Sequence, residues 1–324
     1  MNQEHLKFLQ DPYDGGELKL EIVEYYEGSE TNVKVGFLIG EKFTYEILNG
    51  IPRFVKTQGY SGNFGMQWKR WPRIQYEENN IGTQMEGYTR SMWERINNSK
   101  VSNVKADSVI LDVGCGSGRF LDLFKNSNCI VIGVDYSESI DVVGEIFGSN
   151  ENYLLVQGDA LNLPIVDCSA DVVYSIGVLH HTPSPKNGLQ EMTRVCKEFG
   201  KVSLAVYGKG SHYDYIFVTY LRNFFKVTYP YLGFLLPTLY SYLVVSLFYP
   251  VHKFFPIIGK LAKRVVPFIY IPSYKWSLLD TFDSITPSFQ STHTSHEVYN
   301  WFLDCGLKNI IPSDWGFTSY SAEK

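Results

Sequence analysis

The stretch VILDVGCGSG, from Val109 to Gly118, restricts the fold more than any other part of the chain. A short apolar run carries Asp112 near its end, and glycines follow at 114, 116 and 118. A run this short and this apolar suits a strand buried on both faces. Glycine admits positive φ and lets a ligand approach the backbone closely. A glycine-rich turn between a strand and a helix also presents backbone N–H groups. From residue 108 onward the pattern of strand, turn and helix repeats. "SVILDV", "CIVIGVD", "YLLVQGD" and "ADVVYSIG" read as strands, and "KVSLAV" closes the run. "GRFLDLFKNS", "SESIDVVGEIF" and "SPKNGLQEMTRVC" read as helices between them. Apolar strands alternating with helices predict an α/β fold with a doubly wound, mostly parallel sheet.

Four segments follow from the pattern. Residues 1–57 form a small β-rich module, and residues 58–107 a helical, aromatic linker region. Residues 108–207 and 277–324 build the main domain, and residues 208–276 are inserted into it. In the last part, Thr294 and Glu297 have capping-box spacing ahead of a helix that Gly306 ends. "LKNII" and "WGFTSY" then predict two closing strands. The five cysteines show no CxxC spacing, which suits free thiols in a reducing cytoplasm. The N-terminus lacks a basic stretch followed by an apolar core, so no secretory signal is expected.

Two cofactor classes use a glycine turn of this kind. Dinucleotide enzymes favour GxGxxG, but Arg119 stands where the third glycine would be. The preceding carboxylate suits a ligand with a cationic amino-acid end, since an ammonium needs acceptors where a pyrophosphate needs donors. Asp112 through Gly118 resembles motif I of the class I S-adenosylmethionine-dependent methyltransferases, of the type 11 kind. Asp135 in "VIGVDYS", Asp159 in "VQGDALNLP" and the "ADVVYSIGVLHH" strand fall in that family's order. "EMTRVCKEFGKVSLAV" resembles the family's "RVLKPGG" segment, with Glu198 and Phe199 in place of Pro-Gly and hence a different turn. The resemblance implies a Rossmann-like methyltransferase fold of seven strands. It also implies S-adenosyl-L-methionine as cofactor, held by Asp112, Gly114, Cys115, Gly116, Gly118, Asp135, Tyr136, Asp159, Ala160 and Ser175. Asp135 is expected at the ribose hydroxyls and Asp159 at the adenine amino group. A NAD-dependent enzyme and a catalytically silent scaffold are the competing readings.

Methyl transfer from a sulfonium chiefly needs alignment and exclusion of water. A hydroxyl acceptor also benefits from a base, and His180 and His181 after the fourth strand are the candidates. His293 and His296 fit either a reach toward the substrate or the helix start beside them, and Phe64, Gln67 and Trp68 either a fold over the cofactor or, by default for Phe64 and Trp68, ordinary aromatic packing. The N-terminal module resembles a zinc ribbon that has lost its cysteines, so no metal is expected. Residues 208–276 carry eight basic residues against Asp214, a net +7 against −12 for the rest of the chain. Three roles fit this aromatic, basic insertion: a lid, a homodimer surface, or a contact with the inner face of a membrane. The acceptor is expected to be a small molecule, a glycan or a lipid-linked group. With a net charge of −5 and no motif for RNA methylation, no nucleic acid is expected.

Overall fold

The computed structural model describes residues 1–55, 62–148, 150–316 and 318–324. The start of the glycine-rich aromatic patch, 59–61, and position 317 of the last expected strand lie outside them. In chain order the elements are β1 (Lys19–Tyr25), β2 (Val33–Ile39), β3 (Thr44–Leu48), β4 (Ile51–Arg53), α1 (Gly62–Arg70) and α2 (Tyr88–Ile96). Then come β5 (Val109–Val113), β6 (Ile130–Asp135), α3 (Ser139–Phe147), β7 (Tyr153–Gln157), β8 (Ala170–Ile176), α4 (Pro185–Val195) and β9 (Cys196–Val206). The insertion holds α5 (Ile216–Leu232), α6 (Leu235–Phe254) and α7 (Pro256–Ala262). The chain closes with α8 (Tyr274–Ile285), α9 (Ser295–Asp304), β10 (Lys308–Pro312) and β11 (Thr318–Glu323).

The strands form one sheet in the order β1-β2-β3-β4-β7-β6-β5-β8-β9-β11-β10. The seven expected strands run from β7 to β10, parallel except where β11 pairs with β9 and β10. Four antiparallel N-terminal strands extend the sheet to eleven, because β4 pairs parallel to β7 through Arg53 and Gln157. An ion pair from Arg53 to Asp141 on α3 fastens that junction. Every residue of β5 is buried. One face of the sheet packs Leu111, Ile132, Leu189 and Phe302, and the other packs Ile110, Trp93, Phe124 and Tyr174. The chain leaves β5 toward β6 and β7, then returns to β8 on the other side. The carboxyl ends of β5 and β8 therefore flank the switch point where open α/β sheets bind ligands.

Two local expectations change. The segment after Gly118 forms a single 3-10 turn, Leu121–Phe124, instead of a helix. Phe120, Leu121 and Phe124 all turn inward. Tyrosine hydroxyls also take carbonyls a helix would use: Tyr76 donates to Ser117 at 2.6 Å and Tyr153 to Leu121 at 3.0 Å. The sequence also suggests that Pro237 would weaken a straight helix, yet it lies in the first turn of α6, where its missing N–H has no helical partner to lose. The turn with Glu198 and Phe199 places Phe199 at φ 62° and 92% exposed.

The insertion leaves the sheet after β9 and returns through α8. Val206 at the end of β9 pairs with Thr318 of β11, so both flanks belong to the same sheet. α6 is long and apolar enough to cross a membrane by length and composition, and about a quarter of it, 28%, is buried. Twenty exposed large apolar side chains lie between Tyr215 and Val265. α8 packs inward and carries Trp276, Leu279, Asp280 and Asp283 to the cavity beside the switch point.

Candidate active site

The glycine turn after β5 stands at the carboxyl end of the sheet. Gly114, Gly116 and Gly118 have φ of 83°, 57° and 80°, the region that favours glycine. A Cβ on Gly114 would meet Val178 Cγ1 at 2.2 Å, and one on Gly116 would meet Trp68 Nε1 at 3.1 Å. The bare backbone is therefore required by its neighbours as well as by torsion. Gly114 N–H donates to Val134 O at 2.7 Å, which ties the turn to β6.

Asp135 at the tip of β6 is held from two sides. Gly116 N–H donates to one carboxylate oxygen at 2.9 Å, and Ser137 donates its N–H (2.9 Å) and hydroxyl (2.7 Å) to the other. Asp112 is 1% exposed, and its Oδ2 has no hydrogen-bond partner. Burial, and then Asp135, push its carboxyl well above the usual carboxylate range. Asp112 does not line the cavity; it lies beside the Tyr174 hydroxyl behind the glycine turn. The cavity is lined by Gly114, Cys115, Gly116, Asp135, Tyr136 and Ala160 of the expected cofactor set. Gly118 lies one turn further on, against Tyr76, Val143 and Phe147. Asp159 accepts Leu161 N–H at 2.9 Å between two lining residues, Gly158 and Ala160. Ser175 is fully buried and donates to Val113 O at 2.8 Å, so it braces β5 and does not line the cavity. α1 covers the turn with Phe64, Gln67 and Trp68, and Lys69 binds Glu138 of the neighbouring loop at 2.8 Å. The lining residues suit S-adenosylmethionine: Asp135 for ribose hydroxyls, the glycine turn for the amino-acid end, and Gly158 with Ala160 along the base, while Asp112 stays buried behind the turn.

The two histidines after β8 separate. His180 is fully buried, accepts Tyr207 N–H on Nδ1 at 3.3 Å, and stacks on the Tyr207 ring at 3.6 Å. His181 lines the cavity. Its Nδ1 lies 3.0 Å from Phe289 O, which assigns the proton to Nδ1 and leaves the Nε2 lone pair as acceptor. Burial keeps both rings less basic than usual. His293 bonds Glu297 and Ser291, and His296 bonds Asn300; neither lines the cavity.

Beyond the glycine turn the cavity widens into a chamber that sequence reading missed. Arg119 lies over the Phe120 ring at 4.5 Å and is the single Lys or Arg among the lining residues. Asp280 and Asp283, one turn apart on α8, face it with Tyr88, Tyr207, Tyr213 and Trp276. Tyr207 donates its hydroxyl to Asp283 at 3.2 Å and stacks on Tyr213 at 3.5 Å. Burial, then Asp283, push the Asp280 carboxyl up to about 7. The signal in the sequence was two acids breaking the apolar stretch "YKWSLLDTFDSI".

Residues 111–204 match the family described as "Methyltransferase domain". The tRNA (carboxymethyluridine(34)-5-O)-methyltransferase of Arabidopsis thaliana is 34% identical over 33% of this chain and 26% of its own length. The mouse enzyme of that name, ALKBH8, is 29% identical over 45% of this chain and 21% of its own. Demethylmenaquinone methyltransferase of Staphylococcus epidermidis is 42% identical over 31% of this chain and 43% of its own. A solved S-adenosylmethionine-dependent methyltransferase from Aquifex aeolicus aligns over 80% of this chain and 96% of that one, at 13% identity and a TM-score of 0.43. The chain spans between about a quarter and three fifths of the length of the first curated relatives it matches. The expectation of no nucleic-acid partner is corrected by the tRNA methyltransferases among these relatives. Overall charge describes the whole surface and does not decide what one domain's cleft accepts. With the ordered motifs, the switch-point crevice and the domain match together, residues 111–204 are a methyltransferase domain of the class I, S-adenosylmethionine-dependent kind.

Proposed function

We propose that this chain transfers a methyl group from S-adenosylmethionine to a small-molecule, sugar or lipid-linked acceptor seated against α8. The observation that carries this reading is the bare glycine turn of Gly114 and Gly116 facing the cavity, with Asp135 fixed beside it at the neighbouring strand tip. The cofactor, when bound, supplies a methyl carbon already activated on sulfur. The chain's contribution is alignment and exclusion of water. α1 roofs the crevice with Phe64 and Trp68, and α8 closes the far wall with Trp276 and Leu279. His181 is the histidine with access to the acceptor, while His180 packs Tyr207 in place. The enclosed aromatic chamber supports a compact acceptor group. The tRNA methyltransferases among the relatives make RNA the competing acceptor.

The test is methyl incorporation from labelled S-adenosylmethionine into separated cell fractions: soluble metabolites, extracted lipids and RNA. Label in metabolites or lipids, lost with Asp135→Ala, is the expected result; label confined to RNA contradicts the acceptor class. We further propose a cytoplasmic protein that rests on the membrane through α5–α7. The exposed apolar residues of those helices and their basic excess support this. Flotation with vesicles containing anionic lipid, lost when Phe217, Tyr220 and Phe224 become aspartate, is expected; equal recovery without vesicles contradicts it.

A further inference from the structure

The chamber's lining is rich in acids. Three carboxylates line the cavity, those of Asp135, Asp280 and Asp283, against the guanidinium of Arg119. S-adenosylmethionine carries two cationic groups and one carboxylate, so its net charge offsets one of the lining acids, and Arg222 acts on Asp283 from behind the wall. Two of the three lining acids, Asp280 and Asp283, lie at the α8 end. Asp280 makes no hydrogen bond or ion pair within bonding distance among the described residues, and its partly exposed carboxyl faces the cavity with Arg119 and Asp283 as its nearest charges. Asp283 is oriented by the Tyr207 hydroxyl. The remaining walls, Tyr88, Tyr207, Tyr213 and Trp276, are aromatic. Carboxylates flanked by aromatic faces complement a compact organic cation. A cavity-facing acid without a hydrogen-bond partner among the described residues fits a ligand that supplies one.

We propose that the acceptor is a primary or secondary amine bound as its ammonium ion, with Asp283 holding the cation and Asp280 receiving its proton. This rests on the reading of the glycine crevice as the S-adenosylmethionine site. The step balances. An N–H bond of the ammonium breaks, its electron pair stays on nitrogen, and the proton passes to Asp280. The nitrogen pair then forms the bond to the methyl carbon while the carbon–sulfur bond breaks and its electrons stay on sulfur. The product is again an ammonium ion, held by Asp283, and Asp280 later releases its proton to solvent. The charged and titratable groups facing the pair are Tyr88, Arg119, His181, Tyr207, Tyr213 and Arg222. A carboxyl group raised toward neutrality is a better proton acceptor than an ordinary one.

The test uses the full chain and S-adenosylhomocysteine, whose binding by calorimetry reports the cofactor crevice alone. With that ligand saturating, arylalkylamines such as phenethylamine are titrated beside their alcohols. Amines are expected to bind at least tenfold tighter than the paired alcohols. Asp283→Asn should remove most of that preference. Asp280→Asn should leave S-adenosylhomocysteine affinity within threefold but abolish proton uptake and methyl transfer, with partial rescue in Asp280→Glu. Equal binding of alcohols and amines, or full preference in Asp283→Asn, overturns the proposal while the cofactor reading stands. Transfer retained in Asp280→Asn but lost in His181→Gln also overturns it. No binding of S-adenosylhomocysteine brings down both readings.

Discussion

Single residues carry most of the functional weight, and they separate cleanly by environment. Gly114 and Gly177 share a left-handed backbone, at φ 83° and 78°, yet a Cβ at Gly177 meets nothing within 4 Å. Gly177→Ala should cost about 1 kcal/mol from torsion alone. Gly114→Ala must also displace Val178, so it should lose several kcal/mol and S-adenosylmethionine binding together; thermal melts with and without ligand distinguish the two. Asp280 gives a second test of sign. Its folded carboxyl is raised to about 7, above its unfolded range. The stability it contributes is therefore complete below about pH 4 and lost as pH rises through about 7. Asp280→Asn should raise stability by about 2 kcal/mol at pH 8 and change little at pH 4, an active-site acid being kept at a cost to the fold. Asp112, the glycines and Asp135 were readable because they sit on consecutive elements with fixed spacing. Asp280 and Asp283 were not, because only tertiary packing swings α8 across the cavity.

At the scale of elements, caps and turns were legible where local chemistry decides them. The box of Thr294 and Glu297 is complete at the start of α9. Thr294→Ala should cost about 1 kcal/mol in chemical denaturation. The turn inside β9 holds Phe199 in a conformation that disfavours a side chain, with the ring almost fully exposed. Phe199→Gly should therefore stabilise the protein by about 1 kcal/mol and raise the melting temperature by a few degrees. A flat or negative shift would mean that the ring makes a contact outside the monomer. The segment after Gly118 misled because its apolar spacing fits a helix while two distant tyrosines compete for its carbonyls. Spacing describes a segment's own preference and says nothing of such partners.

The whole molecule shows how far a repeating pattern reaches. Alternation of strand and helix was enough to anticipate the doubly wound part, since each unit reports locally on its own burial. The joining of β4 to β7 was not visible, because a parallel pair formed across a hundred residues leaves no local mark. That extension also buries His5, whose basicity falls to about 4 chiefly through burial, then through the N-terminal amine and Lys7. A base depressed in the fold contributes stability that is complete above about pH 6.5 and lost as pH falls toward 4. His5 alone should account for on the order of 3 kcal/mol of acid destabilisation, and His5→Gln should flatten the melting profile between those values. The central claim concerns the crevice at the switch point, and calorimetric titration of S-adenosylmethionine tests it most directly. Saturable one-site binding to the native chain, weakened at least tenfold by Asp135→Ala with the melting temperature kept, is the predicted result. Absence of binding heat and of any thermal shift in the native protein would contradict it.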